Sequence, residues 1–248
     1  MRIALFADSQ VGLGIAKYLF SEFSKDIAIV FCTKEDQIYN LALNRNLNCK
    51  IFANEQAAAA EIKELHVEIG ILAWWPYIIP KSVIASAKQG FINTHNSYLP
   101  NNRGKHPYYW AVVEECEYGV TLHWVEEGID TGDIIAQRKI PITWTDNAES
   151  IYSNSLSEMV RLFIDTYPVL RTGNISSEPQ ASGGSFHYGS ELDRHSEIKL
   201  DNQYRARDIL NILRARSTSS KLFHSSYFIE NGKKYRVRIA IEEDTDNT

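Results

Sequence analysis

The first 95 residues alternate between short apolar runs and longer amphipathic ones, and this alternation constrains the fold more than any other feature. The apolar runs are RIALFA (2–7), IAIVF (27–31), KIF (50–52), VEIGILA (67–73) and FINT (91–94). Runs this short and this apolar suit strands buried on both faces. Between them lie 11–24, with Ile15, Tyr18, Leu19 and Phe23 on one helical face, then 35–46, the Ala- and Glu-rich 55–66, and 80–88. Alanine and glutamate favour helix, and Pro80 suits a first helical turn. Strands alternating with helices call for crossover connections, which build a parallel sheet covered by helices. Such sheets bind ligands at the carboxyl ends of their strands.

The pattern changes after residue 95. Residues 120–125 alternate as a strand, with Thr121 and His123 on one face, and 134–140 is the expected partner in a hairpin added to the sheet. Asp146-Asn147-Ala148-Glu149 reads as the start of one long helix over 147–171. Composition shifts to Ser, Gly and Pro near 174–190, followed by a helix at about 203–215 and a hairpin turning on Asn231-Gly232. The expected fold class is α/β. A Rossmann-like, mostly parallel sheet flanked by helices occupies 1–173, and a small α+β extension containing a β-hairpin occupies 174–248.

Two segments concentrate chemistry. In FINTHNSYLP, Asn93 and His95 are two apart at the end of the fifth strand, so they share a face. The amide can donate a hydrogen bond, and the imidazole can move a proton near neutral pH. The turn GIDTGD carries Asp130 into another apolar run, and the two segments read as halves of one active site.

Other signals are weaker. WWPYII (74–79) follows the fourth strand and suits either core packing or the border of a flat ring system. The loop NNRGKH (101–106) precedes a helix and is a plausible anion seat. VGLG (11–14) lacks the third glycine of a dinucleotide fingerprint, and no P-loop, zincin or nucleophile-elbow pattern occurs. His66, His195 and His224 have no companions that suggest chemistry, and His106 and His123 read more readily as packing residues than as catalysts. Cys32, Cys49 and Cys116 lack metal-ligand spacing, so no metal is expected, and an odd number of thiols fits a reducing, cytoplasmic setting. A net charge of −5 points away from nucleic acid. No apolar run approaches the roughly 18 residues of a membrane helix.

The segments FINTHNSYLPNNRG and GVTLHWVEEGIDTGDII resemble the folate-dependent formyltransferases, and the similarity runs from the first strand to about residue 172. The order of the two motifs and the spacing of 35 positions from His95 to Asp130 match that family. The resemblance implies a catalytic trio of Asn93, His95 and Asp130, with N10-formyltetrahydrofolate as cosubstrate. It places the pterin against Tyr77, Ile78 and Ile79 and against Glu126, Glu127 and Gly128. The segments RGKHPYYW and GGSFHYGSELD look like the sugar-nucleotide N-formyltransferases. That likeness implies an amino-deoxysugar acceptor on a nucleotide, dTDP-4-amino-4,6-dideoxyglucose ahead of its 3-amino isomer, for surface glycans such as lipopolysaccharide O-antigen. It assigns the pyrophosphate to Arg103, Gly104 and Lys105. Phe186, His187 and Tyr188 face the base or sugar, or else pack the tail onto the body. The hairpin is expected to build a homodimer.

Three alternatives stand beside this reading. A methionyl-tRNA formyltransferase would carry a longer, basic C-terminal barrel. A formyltetrahydrofolate hydrolase would use water as nucleophile. A folate-binding sensor would lack one member of the trio.

Overall fold

The computed structural model describes residues 1–218 and 225–244. In chain order it contains β1 (Ile3–Ala7), α1 (Ser9–Glu22), β2 (Ile27–Cys32), α2 (Gln37–Leu43), β3 (Cys49–Ile51) and α3 (Glu55–Glu64). Next come β4 (Ile69–Ala73), α4 (Lys81–Ile84), β5 (Phe91–His95), β6 (Arg103–Gly104), α5 (Pro107–Val113), β7 (Gly119–Trp124) and β8 (Ile134–Lys139). The last elements are α6 (Ala148–Leu170), β9 (Phe186–His187), α7 (Glu191–His195), α8 (Ala206–Arg214), β10 (Tyr227–Glu230) and β11 (Lys233–Arg236).

These elements pack into two units that interleave along the chain. The first contains Met1–His95, Val120–Arg138 and Leu156–Gln180. The second contains Asn96–Gly119, Lys139–Ser155 and the chain from Ala181 onward. Packing thus assigns two stretches before residue 174 to the second unit, a grouping that composition along the chain does not reveal.

The first unit is built on a seven-stranded sheet in the order β3-β2-β1-β4-β5-β7-β8. Strands β3, β2, β1, β4 and β5 run parallel, and β7 pairs antiparallel with β5. This is the helix-flanked, mostly parallel sheet that the alternating pattern implies. Every residue of β1 and β4 is buried, as befits central strands, whereas β3 at the edge is short and largely exposed. One core cluster gathers Phe6, Phe31, Ile62, Leu72, Val83 and Phe91. The Phe6 ring lies 4.6 Å from that of Phe31 and 5.6 Å from that of Phe91. Burying each such ring contributes roughly 2–3 kcal/mol.

The α1 helix buries Val11, Ile15, Ala16, Leu19 and Phe20 at helical spacing. Ile15 and Leu19 are inward as expected. Tyr18 and Phe23 are half-buried instead, and their rings edge onto Tyr167 of α6. The VGLG segment has a packing reason for its first glycine: a Cβ on Gly12 would stand 2.9 Å from the Ala73 carbonyl oxygen. Asp36 caps α2 by accepting from the amides of Ile38 and Tyr39, and Asn54 caps α3 by accepting from Ala57. The α4 helix is only four residues long, shorter than the expected 80–88. Near the end of α6, Tyr167 and Arg171 both hydrogen-bond Asp26, just before β2.

In the second unit, β6 pairs parallel with β9, setting Arg103 beside Phe186 and Gly104 beside His187. Strands β10 and β11 form the expected antiparallel hairpin. Its turn residues Asn231 and Gly232 both have positive φ, 50° and 72°, as a two-residue turn of this hand requires. Among the described residues no helix is long and apolar enough to cross a membrane.

Candidate active site

The antiparallel register of β5 and β7 sets Asn93 opposite His123 and His95 opposite Thr121. Residues directly opposite in a ladder share a face of the sheet. Four polar side chains are therefore collected at the carboxyl end of β5. Thr94, between Asn93 and His95, points the other way. Its hydroxyl donates to the Leu72 carbonyl at 3.1 Å and accepts from the Trp74 amide at 2.9 Å, tying down the end of β4.

Asp130 reaches this group from the turn after β7. Its φ is +55°, a left-handed conformation that costs a non-glycine residue about 1 kcal/mol or more. The turn is closed by the Trp124 amide donating to the Asp133 carbonyl at 2.9 Å. Gly132 is buried, and a Cβ there would collide with the Trp124 carbonyl oxygen. The Asp130 carboxylate lies 3.5 Å from His95 Nδ1 and 3.5 Å from His123 Nε2. Asn93 Nδ2 is 3.4 Å from the same carboxylate and 3.3 Å from His123 Nε2. His95 is 7% exposed and His123 2%. The three residues expected to act together, Asn93, His95 and Asp130, thus lie within reach of one another.

The tautomer of His123 follows from its partners. Nδ1 sits 2.7 Å from the Trp124 carbonyl, which can only accept, so Nδ1 carries a hydrogen. In the neutral ring Nε2 is then the acceptor, and the Asn93 amide is the donor to it. The contacts that link Asn93, His95 and His123 to the Asp130 carboxylate, and Asn93 to His123, are 3.3–3.5 Å, longer than the usual optimum near 2.9 Å. Long hydrogen bonds of this kind are readily exchanged for better ones when a substrate enters.

Two residues of this group escaped the sequence reading. His123 read as a packing residue because its position opposite Asn93 depends on strand pairing. Gln180 lies in a Ser-, Gly- and Pro-rich stretch with no local signal. Its amide nitrogen donates to the carbonyls of Asp130 at 2.8 Å and Gly132 at 2.9 Å.

The residues after β4 divide. Trp75 packs on the apolar cluster, with ring centroids 5.2 Å from Phe6 and 5.4 Å from Phe52. Ile79 belongs to that core and is 6% exposed. Tyr77 and Ile78 are open, at 53% and 81%. Glu126, Glu127 and Gly128 line a cavity of about 700 Å³ together with Lys81, Ile84 and Ala85. Lys81 and Glu127 form an ion pair there.

In the second unit, Arg103 Nη2 approaches the Gly183 carbonyl at 3.5 Å, and its Nε is buried without a partner among the described residues. Gly104 has φ +90° and Lys105 is exposed. His187 stacks on Trp110 at 3.8 Å and 7°, and its two nitrogens lie 2.7 Å from Glu114 and 3.1 Å from Glu191. Its imidazole is thereby fully engaged within this unit. Phe186 and Tyr188 meet edge to face at 4.8 Å, with Tyr188 62% exposed. His195 Nδ1 is 2.7 Å from the Tyr109 hydroxyl. His224 lies outside the described residues. Among the described residues no group of His, Cys, Asp and Glu could hold a metal ion.

The family profile described as Formyl transferase matches residues 22–166, more than half of the chain. A second profile, N-formyltransferase dimerization C-terminal domain, matches residues 191–243. The chain belongs to the formyl transferase family. Among curated relatives, the methionyl-tRNA formyltransferase of Thermodesulfovibrio yellowstonii is 36% identical over 156 residues, covering 62% of this chain and 49% of the relative. The chain spans about half the length of the curated relatives it matches. A 4-N formyltransferase from Francisella tularensis superposes with a TM-score of 0.77 at 21% identity, covering 98% of both chains. An N-formyltransferase from Helicobacter canadensis, solved with folinic acid and dTDP-3-aminofucose, superposes at 0.73 and 20%, covering 94% of this chain and 86% of that one. The fold is shared with both.

Proposed function

We propose that this protein transfers the formyl group of N10-formyltetrahydrofolate to the amine of a nucleotide-linked amino-deoxysugar. The observation that carries the reading is the convergence of Asn93, His95 and Asp130, from two separate segments, around one carboxylate. The amine enters neutral, and its nitrogen attacks the formyl carbon while the carbonyl pair moves onto oxygen. The Asn93 amide donates to that oxyanion, a role whose loss costs on the order of 100-fold or more in turnover. His95 takes the proton that the attacking nitrogen sheds. The bond from carbon to N10 then breaks, and the imidazolium returns the proton to N10, leaving a formamide and tetrahydrofolate. Asp130, beside His95 Nδ1, orients the ring and favours its charged form.

The cosubstrate supplies the activated formyl group. Its pterin would draw on the 126–128 loop, which lines a cavity of about 700 Å³ with Ile84 and Ala85, within the usual range for such ligands; Tyr77, Ile78, Ile79 and the trio are not part of that lining. Tyr77 and Ile78 are exposed and present surface to the ring, although the Tyr77 ring also stacks on Phe52 and meets Trp75 edge-on, while Ile79 belongs to the core.

A sugar-nucleotide acceptor is supported by the match of 191–243 to the N-formyltransferase C-terminal domain and by the neighbours described as 4-N formyltransferase or solved with dTDP-3-aminofucose. Arg103, whose buried Nε has no partner among the described residues, and exposed Lys105 are the groups for the pyrophosphate, with Gly104 between them. Tyr188 offers an exposed ring to the base or sugar, carried on the Phe186–His187 strand. The favoured acceptor is dTDP-4-amino-4,6-dideoxyglucose, with the 3-amino isomer next. The enzyme would act in the cytoplasm as a homodimer that feeds surface-glycan assembly. Incubation with N10-formyltetrahydrofolate and a panel of amino-sugar nucleotides, beside methionyl-tRNA, tests this. Formylation of one sugar nucleotide is expected, and formyl transfer only to tRNA or to water would overturn it.

A further inference from the structure

We propose that Gln180 is a positioning residue that holds the Asp130 turn in its working conformation, an inference that rests on reading Asp130 as part of the catalytic trio. Both hydrogens of its amide nitrogen are spent on this turn, one on the Asp130 carbonyl at 2.8 Å and one on the Gly132 carbonyl at 2.9 Å. The turn needs such a clamp. Asp130 is a non-glycine residue at φ +55°, and its backbone would relax toward the right-handed or extended region if released. Relaxation there would swing the carboxylate away from His95 and His123, which it meets only at 3.5 Å.

Gln180 is delivered to the turn from 50 residues downstream by a specific device. Glu178 and Ile134 exchange both backbone hydrogen bonds, N to O at 2.8 Å and 2.9 Å, in an isolated antiparallel bridge beside the start of β8. The segment after α6 is thereby laid along the sheet edge, with Gln180 two residues past the bridge. The side-chain oxygen Oε1 of Gln180 is buried and has no partner among the described residues, so the side-chain amide is present for its two donors and not for its acceptor. A carboxylate in the same place would set oxygen against two carbonyl oxygens.

The test uses Gln180→Glu, which keeps the shape and reverses the donors, and Gln180→Met, which keeps the length without polar atoms. Turnover with the accepted sugar nucleotide should fall about 10- to 100-fold, with both KM values changed less than about threefold, because positioning is lost and ground-state binding is not. Amide hydrogen exchange, which needs no acceptor, should rise at least about fivefold across residues 126–134 and stay unchanged in β1 and β4. Exchange unchanged at 126–134 in both variants overturns the clamp. Exchange raised throughout the sheet overturns it too, by making the role one of general stability. Unaltered turnover in an active enzyme removes the link to catalysis. If the wild-type protein formylates no acceptor, the functional reading fails, and the exchange measurement still decides whether Gln180 holds the turn.

Discussion

Asn93 and His123 face one another across β5 and β7, with the amide nitrogen 3.3 Å from imidazole Nε2, and both nitrogens lie 3.4–3.5 Å from one oxygen of Asp130. His123 therefore orients the amide proposed to receive the developing oxyanion. His123→Leu should lower kcat about 10- to 100-fold and leave folate affinity within about twofold, measured by steady-state kinetics and titration calorimetry. A variant with wild-type kcat would reduce His123 to a packing residue.

The proton-transfer role assigned to His95 predicts a larger effect. His95→Asn should cut turnover about 1,000-fold or more while binding of folate and of sugar nucleotide stays measurable. Near-normal turnover would take His95 out of the chemistry.

Stability has its own titration, at Asp26. Burial pushes this carboxyl up, but the hydrogen bonds from the Arg171 guanidinium, at 2.8 and 3.1 Å, and from the Tyr167 hydroxyl, at 3.0 Å, outweigh it and hold the group below the ordinary carboxylate range. Because the folded value is the lower one, the stabilisation is present above the unfolded value near 3.9 and is lost as pH falls through the folded value. Arg171→Met should lower the urea midpoint at pH 7, by less than breaking a wholly buried pair would, because the Arg171 side chain is 38% exposed. Urea midpoints should show that cost shrinking as the pH is lowered below about 4. A cost independent of pH would mean that the loss is one of packing on the Phe23 ring, over which the guanidinium also sits at 4.9 Å.

The proposed dimer is open to a direct test at the hairpin. Ile229 and Tyr235 are large apolar residues left 48% and 44% exposed on β10 and β11. Ile229→Glu with Tyr235→Lys should convert a dimer to a monomer in light scattering, with the thermal transition otherwise retained. A dimer that survives both changes would place the interface elsewhere.

Much of the first unit could be read in advance. Ile3–Ala7, residues 27–31 and Ile69–Ala73 carry no charged or polar side chain because central parallel strands are covered on both faces, so burial is written locally and continuously. The Asn231-Gly232 turn was equally local, since positive φ at both positions is a property of those residues themselves. Asn93, His95 and Asp130 came from family motifs, and the strand period alone already put the first two on one face.

What tertiary structure alone decided is the company these residues keep. His123 entered the group through the register of two strands, which slips by whole residues without any change in the local pattern. Ile79 proved to be core while Ile78 is exposed, because the path of the chain after β4, and not apolarity, sets which side chain turns inward. Gln180 came to the Asp130 turn from 50 residues away through two backbone hydrogen bonds at Glu178. The sequence by itself determined the elements and the chemical groups, because propensity and period act over a few neighbouring residues. Which groups meet depends on pairing between distant segments, and that free energy exists only once the chain has closed on itself.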